Sequence, residues 1–188
     1  PAIASTVIRR LYKTSTELTV MVDLAKILLL SDTPTNIAKK VLTAIKSVIT
    51  ASDLILLFSK DEFSDEFNLL SSYPQTFESL SINASESLVK DILTYDGPKE
   101  YSSPQKIPKT SIIQLENAKT IIGVGLKKEG KTYGLLIIAN FSKEFAFEIS
   151  DFDLIEGIYP VITQALESIK FREETIAKER FLQSKYRY

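Results

Sequence analysis

Two apolar runs constrain this chain more than any other feature: Thr120-IIGVGL-Lys127 and Thr132-YGLLIIANF-Ser142, separated only by Lys, Glu and Gly residues. Both are short, and the second is aromatic and β-branched, so both read as strands. Apolar residues occupy both alternating faces, and a strand of that kind needs cover on two sides. The chain must therefore build layers around a sheet.

The junction between the runs matches another pattern. Gly125 to Thr132 spells GLKKEGKT, the letters of a phosphate-binding P-loop. A working P-loop lies between a strand and a helix, whose N-terminus faces the phosphates. Here Lys131 and Thr132 lead into a strand, and Glu129-Gly130 is good hairpin-turn chemistry. No later strand ends in an aspartate suited to magnesium. A β-hairpin is the expectation. Within its first strand, Ile122, Val124 and Leu126 share one face, and Ile121, Gly123 and Gly125 share the other. Strand glycines mark a bulge, or close approach by a ligand, another backbone or a tightly packed helix.

The remaining elements follow from periodicity. A helix is expected from about Ile3 to Leu30, with Leu11, Leu18, Met21, Ala25 and Leu28 spaced seven, three, four and three. That stripe fits a coiled-coil seam as well as the core face of an ordinary amphipathic helix. Thr33 and Pro34 suit the N-cap and first turn of a second helix, with Ile37, Val41, Ala44, Ile45 and Val48 inward. Asp53-LILLF-Ser59 reads as a strand buried on both faces, with Glu66 to Leu70 as its hairpin partner. Ser85 to Tyr95 reads as a short helix burying Leu88, Ile92 and Tyr95. Gly97 to Ser111, with Pro98, Pro104 and Pro108, reads as an irregular loop, either a binding lid or a plain connector. A long helix follows, with Ser150 as N-cap and Ile155, Ile158, Ile162, Ala165 and Ile169 inward. It turns charged beyond Ile169.

Composition excludes much chemistry. The 188 residues contain no cysteine and no histidine. That rules out disulfides, the usual zinc sites, cysteine nucleophiles and histidine bases. The net charge of −1 argues against a dedicated nucleic-acid binder. No apolar run approaches the roughly 20 residues that span a membrane, and no secretory signal is visible. A cytoplasmic setting is the expectation, as is an origin within a longer protein, since the chain begins Pro-Ala-Ile. Asp61, Glu62, Asp65 and Glu66 cluster near the first hairpin, a density usual for a solvated turn.

The order of these elements, with VGLKKEGKTYGLLIIAN at the hairpin, resembles a GAF domain. Gly130 and Gly134 stand at matching places, Phe147-Glu148-Ile149-Ser150-Asp151 resembles the family's lead into its last helix, and Gly97-Pro98 fits after the short helix. The resemblance spans Thr16 to Glu173. It implies an α+β fold with a central antiparallel sheet of about five to six strands. Long N- and C-terminal helices would cover one face, and a short helix and loops would cover a pocket on the other. Phe58, Tyr73, Tyr95, Tyr101, Ser102, Gly123 and Gly125 are the pocket candidates, although aromatics there can equally fill core. No catalytic residue or metal ligand is assigned, and no cofactor is identified.

The resemblance further implies a regulatory module, a homodimer through its terminal helices and a small-molecule ligand or none. Residues 1–15 would be a helical extension, 16–173 the domain and 174–188 a linker. The ending FLQSKYRY resembles the linker before the ATPase domain of bacterial enhancer-binding activators, and could equally precede a kinase, cyclase, phosphatase or PAS domain. The family's cyclic-nucleotide branch carries an Asn-Lys, Phe, Asp signature. Asn140, Phe147 and Asp151 match it, but Phe141 stands in place of Lys, and Gly125 stands where Pro is common. The bilin-binding and methionine-sulfoxide-reducing branches need cysteine. A purely structural module with a filled pocket is the alternative, with a P-loop enzyme behind it.

Overall fold

The structure, a computed structural model, describes residues 1–29, 33–76 and 78–187, without the side chains at 13, 28 and 29. The expectations for Leu28 in the helical stripe, and for Leu30 to Asp32 as a helix break, lie outside the described residues.

The fold is α+β. Helices α1 (Ala2–Leu29) and α2 (Pro34–Val48) precede β1 (Leu54–Lys60), β2 (Glu66–Tyr73) and β3 (Ser81–Asn83). Helix α3 (Ser87–Thr94), β4 (Lys99–Tyr101), β5 (Thr120–Lys128), β6 (Lys131–Asn140) and α4 (Ile149–Lys185) follow. The six strands form one sheet in the order β3-β2-β1-β6-β5-β4, and every neighbouring pair is antiparallel. Among the described residues, no helix is long and apolar enough to cross a membrane.

The two-faced runs became the sheet centre. Ile55, Leu57, Ile122, Val124, Leu126, Leu136 and Ile138 pack with Leu42 and Ile45 of α2 and Ile155, Ile158 and Ile162 of α4. Leu56, Phe58, Ile121, Leu135, Ile137 and Ala139 pack on the opposite side with Leu88, Val89 and Ile92 of α3. Leaving one such side chain in water costs about 1.5–3 kcal/mol, so neither face could stay bare.

Local chemistry sets the element ends. Glu129 and Gly130 both take positive φ, 51° and 77°, in the turn between paired Lys128 and Lys131. These are the dihedrals of a two-residue hairpin, and no helix begins at Thr132. Thr33 Oγ1 accepts from Asn36 N at 3.3 Å, capping α2 as expected. Helix α4 is different: it begins at Ile149, so Ser150 lies inside it. Glu148 is the N-cap, and Asp151 Oδ2 accepts from Glu148 N at 2.8 Å to complete a capping box. Strand β2 runs to Tyr73, beyond the expected Leu70. The irregular loop contains β4 and a 3₁₀ turn at Pro104–Lys106, with another just beyond it at Ile113–Leu115.

Helices α1 and α4 run parallel. Met21 lies against Gly157, and Ala25, one turn on, lines a groove with Val161 and Ala165. Consequently the start of α1 and the end of α4 project toward opposite poles of the sheet.

A Cβ at Gly134 would overlap the Phe58 carbonyl oxygen and come within 2.7 Å of Leu166 Cδ1. At Gly157 it would meet only the mobile methyl end of Met21. Gly134→Ala should therefore cost about 2–3 kcal/mol by urea unfolding. Gly157→Ala should stay within about 1 kcal/mol of the parent, because gained helix propensity offsets the shifted Met21.

Candidate functional site

The face beneath α3 is where the resemblance implies a pocket. Leu88, Val89 and Ile92 give α3 one apolar side. It settles onto β5 where two side chains are missing. A Cβ at Gly123 would overlap Ile92 Cδ1 and lie 2.6 Å from Cγ1; one at Gly125 would lie 3.0 Å from Leu93 Cδ2. The strand glycines thus serve tight helix packing. Phe58, Leu88, Val89, Ile92 and Ile121 are all 0% exposed, so the space is occupied by the protein's own side chains.

Strand β4 closes the edge of this face. The Tyr101 ring is buried, and its hydroxyl donates to Asp91 Oδ2 at 2.5 Å. Lys99 Nζ donates to the same oxygen at 2.7 Å and lies over the Tyr95 and Tyr101 rings. The Lys99 hydrogen bond, then that from Tyr101, holds the Asp91 carboxyl below its usual range. Burial, then Asp91, pushes the Tyr101 phenol far above its ordinary value. Tyr101 is therefore held as a donor to Asp91. Burial raises Glu100, with Lys106 opposing.

The loop after β4 is strapped to α3. Glu86, the N-cap residue of α3, accepts from Ser111 N at 3.1 Å, from Ser111 Oγ at 2.6 Å and from Thr110 Oγ1. The sequence offers no local hint of this clamp, because its partners lie 24 and 25 residues apart.

The structure divides the expected pocket residues. Phe58, Tyr101, Gly123 and Gly125 come together around α3. Ser102 follows β4 and is buried, its Oγ accepting from Lys106 Nζ at 3.2 Å and its carbonyl from Phe145 N at 2.9 Å. Tyr73 lies on the other face, against the core of the long helices, with Lys46 over its ring at 6.0 Å. A register shift in the β1–β2 pairing, between Leu57 and Phe58, turns Tyr73 to the face opposite Phe58. Tyr95 lies beyond the last helical residue and is 50% exposed; Lys99 lies over its ring, and its backbone carbonyl accepts from Lys127 Nζ at 3.2 Å.

The signature-like residues have bracing roles. Asn140 Nδ2 donates to Ala51 O at 2.7 Å, and its Oδ1 accepts from Ser142 N and Lys143 N. Phe147 is buried beneath the long helices, and Asp151 caps α4. In the acidic turn, Asp61 accepts from Ser64 Oγ at 2.7 Å and from Phe63 N, and the Ser64 bond leads in lowering its carboxyl.

No family model and no curated protein matches this chain. Solved structures do. A GAF domain from a phosphoenolpyruvate-protein phosphotransferase of Coxiella burnetii superposes with a TM-score of 0.71, covering 85% of this chain and 98% of its own. Sequence identity is 12%. The fold is GAF-like. A GAF domain of a putative sensor histidine kinase from Pseudomonas syringae pv. tomato gives 0.62 at 17% identity, covering 90% of this chain and 99% of its own. A type II free methionine-R-sulfoxide reductase from Thermoplasma acidophilum gives 0.58 at 12%, covering 73% and 97%. The same fold thus occurs within a phosphotransferase, a sensor histidine kinase and a reductase.

Two outcomes are expected here. Gly123→Ala and Ile92→Ala should each destabilise, the latter by about 2–5 kcal/mol, and the double variant should lose clearly less than their sum in urea titrations. The Asp91 carboxyl is lowered in the folded state, so its contribution is full above the ordinary carboxylate range. It is lost as pH falls through the folded value. Asp91→Asn should flatten that part of the acid unfolding profile, read by circular dichroism.

Proposed function

We propose that this chain is a non-catalytic, GAF-type regulatory domain that works through its terminal helices. It dimerises along α1 and passes a change in helix placement to an attached domain.

The carrying observation is the exposed side of α1. Ala4, Ile8, Leu11, Ser15, Leu18, Val22 and Ala25 alternate by four and three, and all are exposed. Ile8 is 66% exposed, Leu11 65% and Leu18 58%. Val20 and Leu24, on another side of the same helix, are buried in the core. A helix with one buried stripe and one exposed heptad stripe suits packing against a second copy. Met21, half-buried against Gly157, faces α4 and is not part of this exposed stripe.

The parallel course of α1 and α4 supports transmission. Displacement of α1 at a dimer seam would bear on α4 through the Met21–Gly157 contact. Beyond Leu166, α4 is mostly exposed, with Phe171, Phe181 and Leu182 in the open. In this reading residues 1–15 are a helical extension, 16–173 the domain and 174–188 a linker to an output domain. The filled space under α3 favours a module whose input is a helix rearrangement over one that needs a resident small molecule. Any effector must still favour one arrangement energetically. The reductase activity named for the Thermoplasma protein is not carried over, because the resemblance ties that chemistry to cysteine and this chain has none.

Sedimentation at tens of micromolar should give a dimer. Leu11→Asp with Leu18→Asp should weaken it at least about 100-fold, since each leucine loses a buried partner surface. Its thermal unfolding should otherwise be nearly unchanged. A monomeric parent chain would refute the seam. A small molecule retained in native mass spectrometry would refute the filled-face reading.

A further inference from the structure

Lys131, the lysine of GLKKEGKT, shares one aromatic ring with a second lysine. Its Nζ lies 5.3 Å from the centre of Tyr133, and Lys170 Nζ of α4 lies 5.6 Å from the same centre. A bulge creates the arrangement. Leu126 pairs with Gly134 and Lys127 with Thr132, which leaves Tyr133 unpaired and packed toward the long helices.

Lys170 is half-buried along a groove between α4 and the β1–β2 turn. Lys60, Asp61 and Glu62 face it from β1 and the turn, Lys131 and Tyr133 from β6, and Glu173 and Glu174 from α4 itself. Among the described residues Lys170 enters no ion pair, whereas nearby Lys128 holds Glu167 at 2.8 Å. One ring attracts each ammonium, but the two ammoniums repel one another. Neutralising either lysine leaves the ring a single cation.

We propose that Lys170 is the chain's preferred site of Nε-acylation by an acyl phosphate. The neutral ε-amine attacks the acyl carbon, and a C–N bond forms. The C–O bond to phosphorus breaks, phosphate leaves with the electron pair, and the amine's proton passes to solvent. Burial and then Lys131 lower the Lys170 ammonium's pKa, outweighing the pull of Glu62 and Asp61, so more free amine is present. The charge is removed near the point where α4 leaves the sheet, between buried Leu166 and exposed Phe171. This inference is independent of the dimer.

The test treats the full chain with limiting acetyl phosphate across pH 7–10 and maps sites by peptide mass spectrometry. Lys178, exposed farther along α4, is the internal standard. Lys170 should acetylate at least about five-fold faster than Lys178. In Lys131→Gln its rate should fall toward that of Lys178 and its pH midpoint should rise, with the Lys178 rate unmoved. Equal or slower labelling of Lys170 overturns the proposal. So does an unchanged Lys170 profile in Lys131→Gln.

Discussion

The arrangement rests on the double-sided burial of the central strands. β6 lies between β1 and β5 and sends Leu136 and Ile138 one way, Leu135 and Ile137 the other. With apolar residues on both sides, the sheet folds only when both faces are covered at once. Gly134 tightens the constraint, since the β1 backbone and Leu166 of α4 occupy the space of its missing side chain. Sheet register and the position of α4 are coupled at that one residue.

The covers differ in kind. One face carries three helices, two of them long, whose free ends reach beyond the sheet. The other carries a two-turn helix, a three-residue edge strand and loops clamped by Glu86, Asp91 and Lys99. Deep interdigitation of Ile92 with Gly123 makes this second cover a tight seal. The long helices α1 and α4 meet partly through small residues such as Gly157 and Ala165.

Legibility tracked the range of the interactions. The β5–β6 hairpin, the α2 cap and the inward stripes of α2 and α4 were readable because neighbours within a few residues decide them. The same held for the opposite faces of Ile122 and Ile121. Strand β3 and the clamp at Glu86 were not, since each depends on partners distant in sequence. Tyr73 and Tyr95 were misplaced as neighbours of Phe58. The irregular β1–β2 pairing puts the first on the far face, and the end of α3 leaves the second in solvent.

By itself, the amino-acid order determined a layered α+β chain around an antiparallel ribbon and barred cysteine and histidine chemistry. Hydrophobic period and residue type are local properties. Only the tertiary structure decided that the strand glycines receive Ile92 and Leu93, that α1 runs parallel to α4 and that Lys131 meets Lys170 over one tyrosine. Those outcomes depend on which surfaces meet, and surfaces far apart along the chain meet only when every apolar face is buried together.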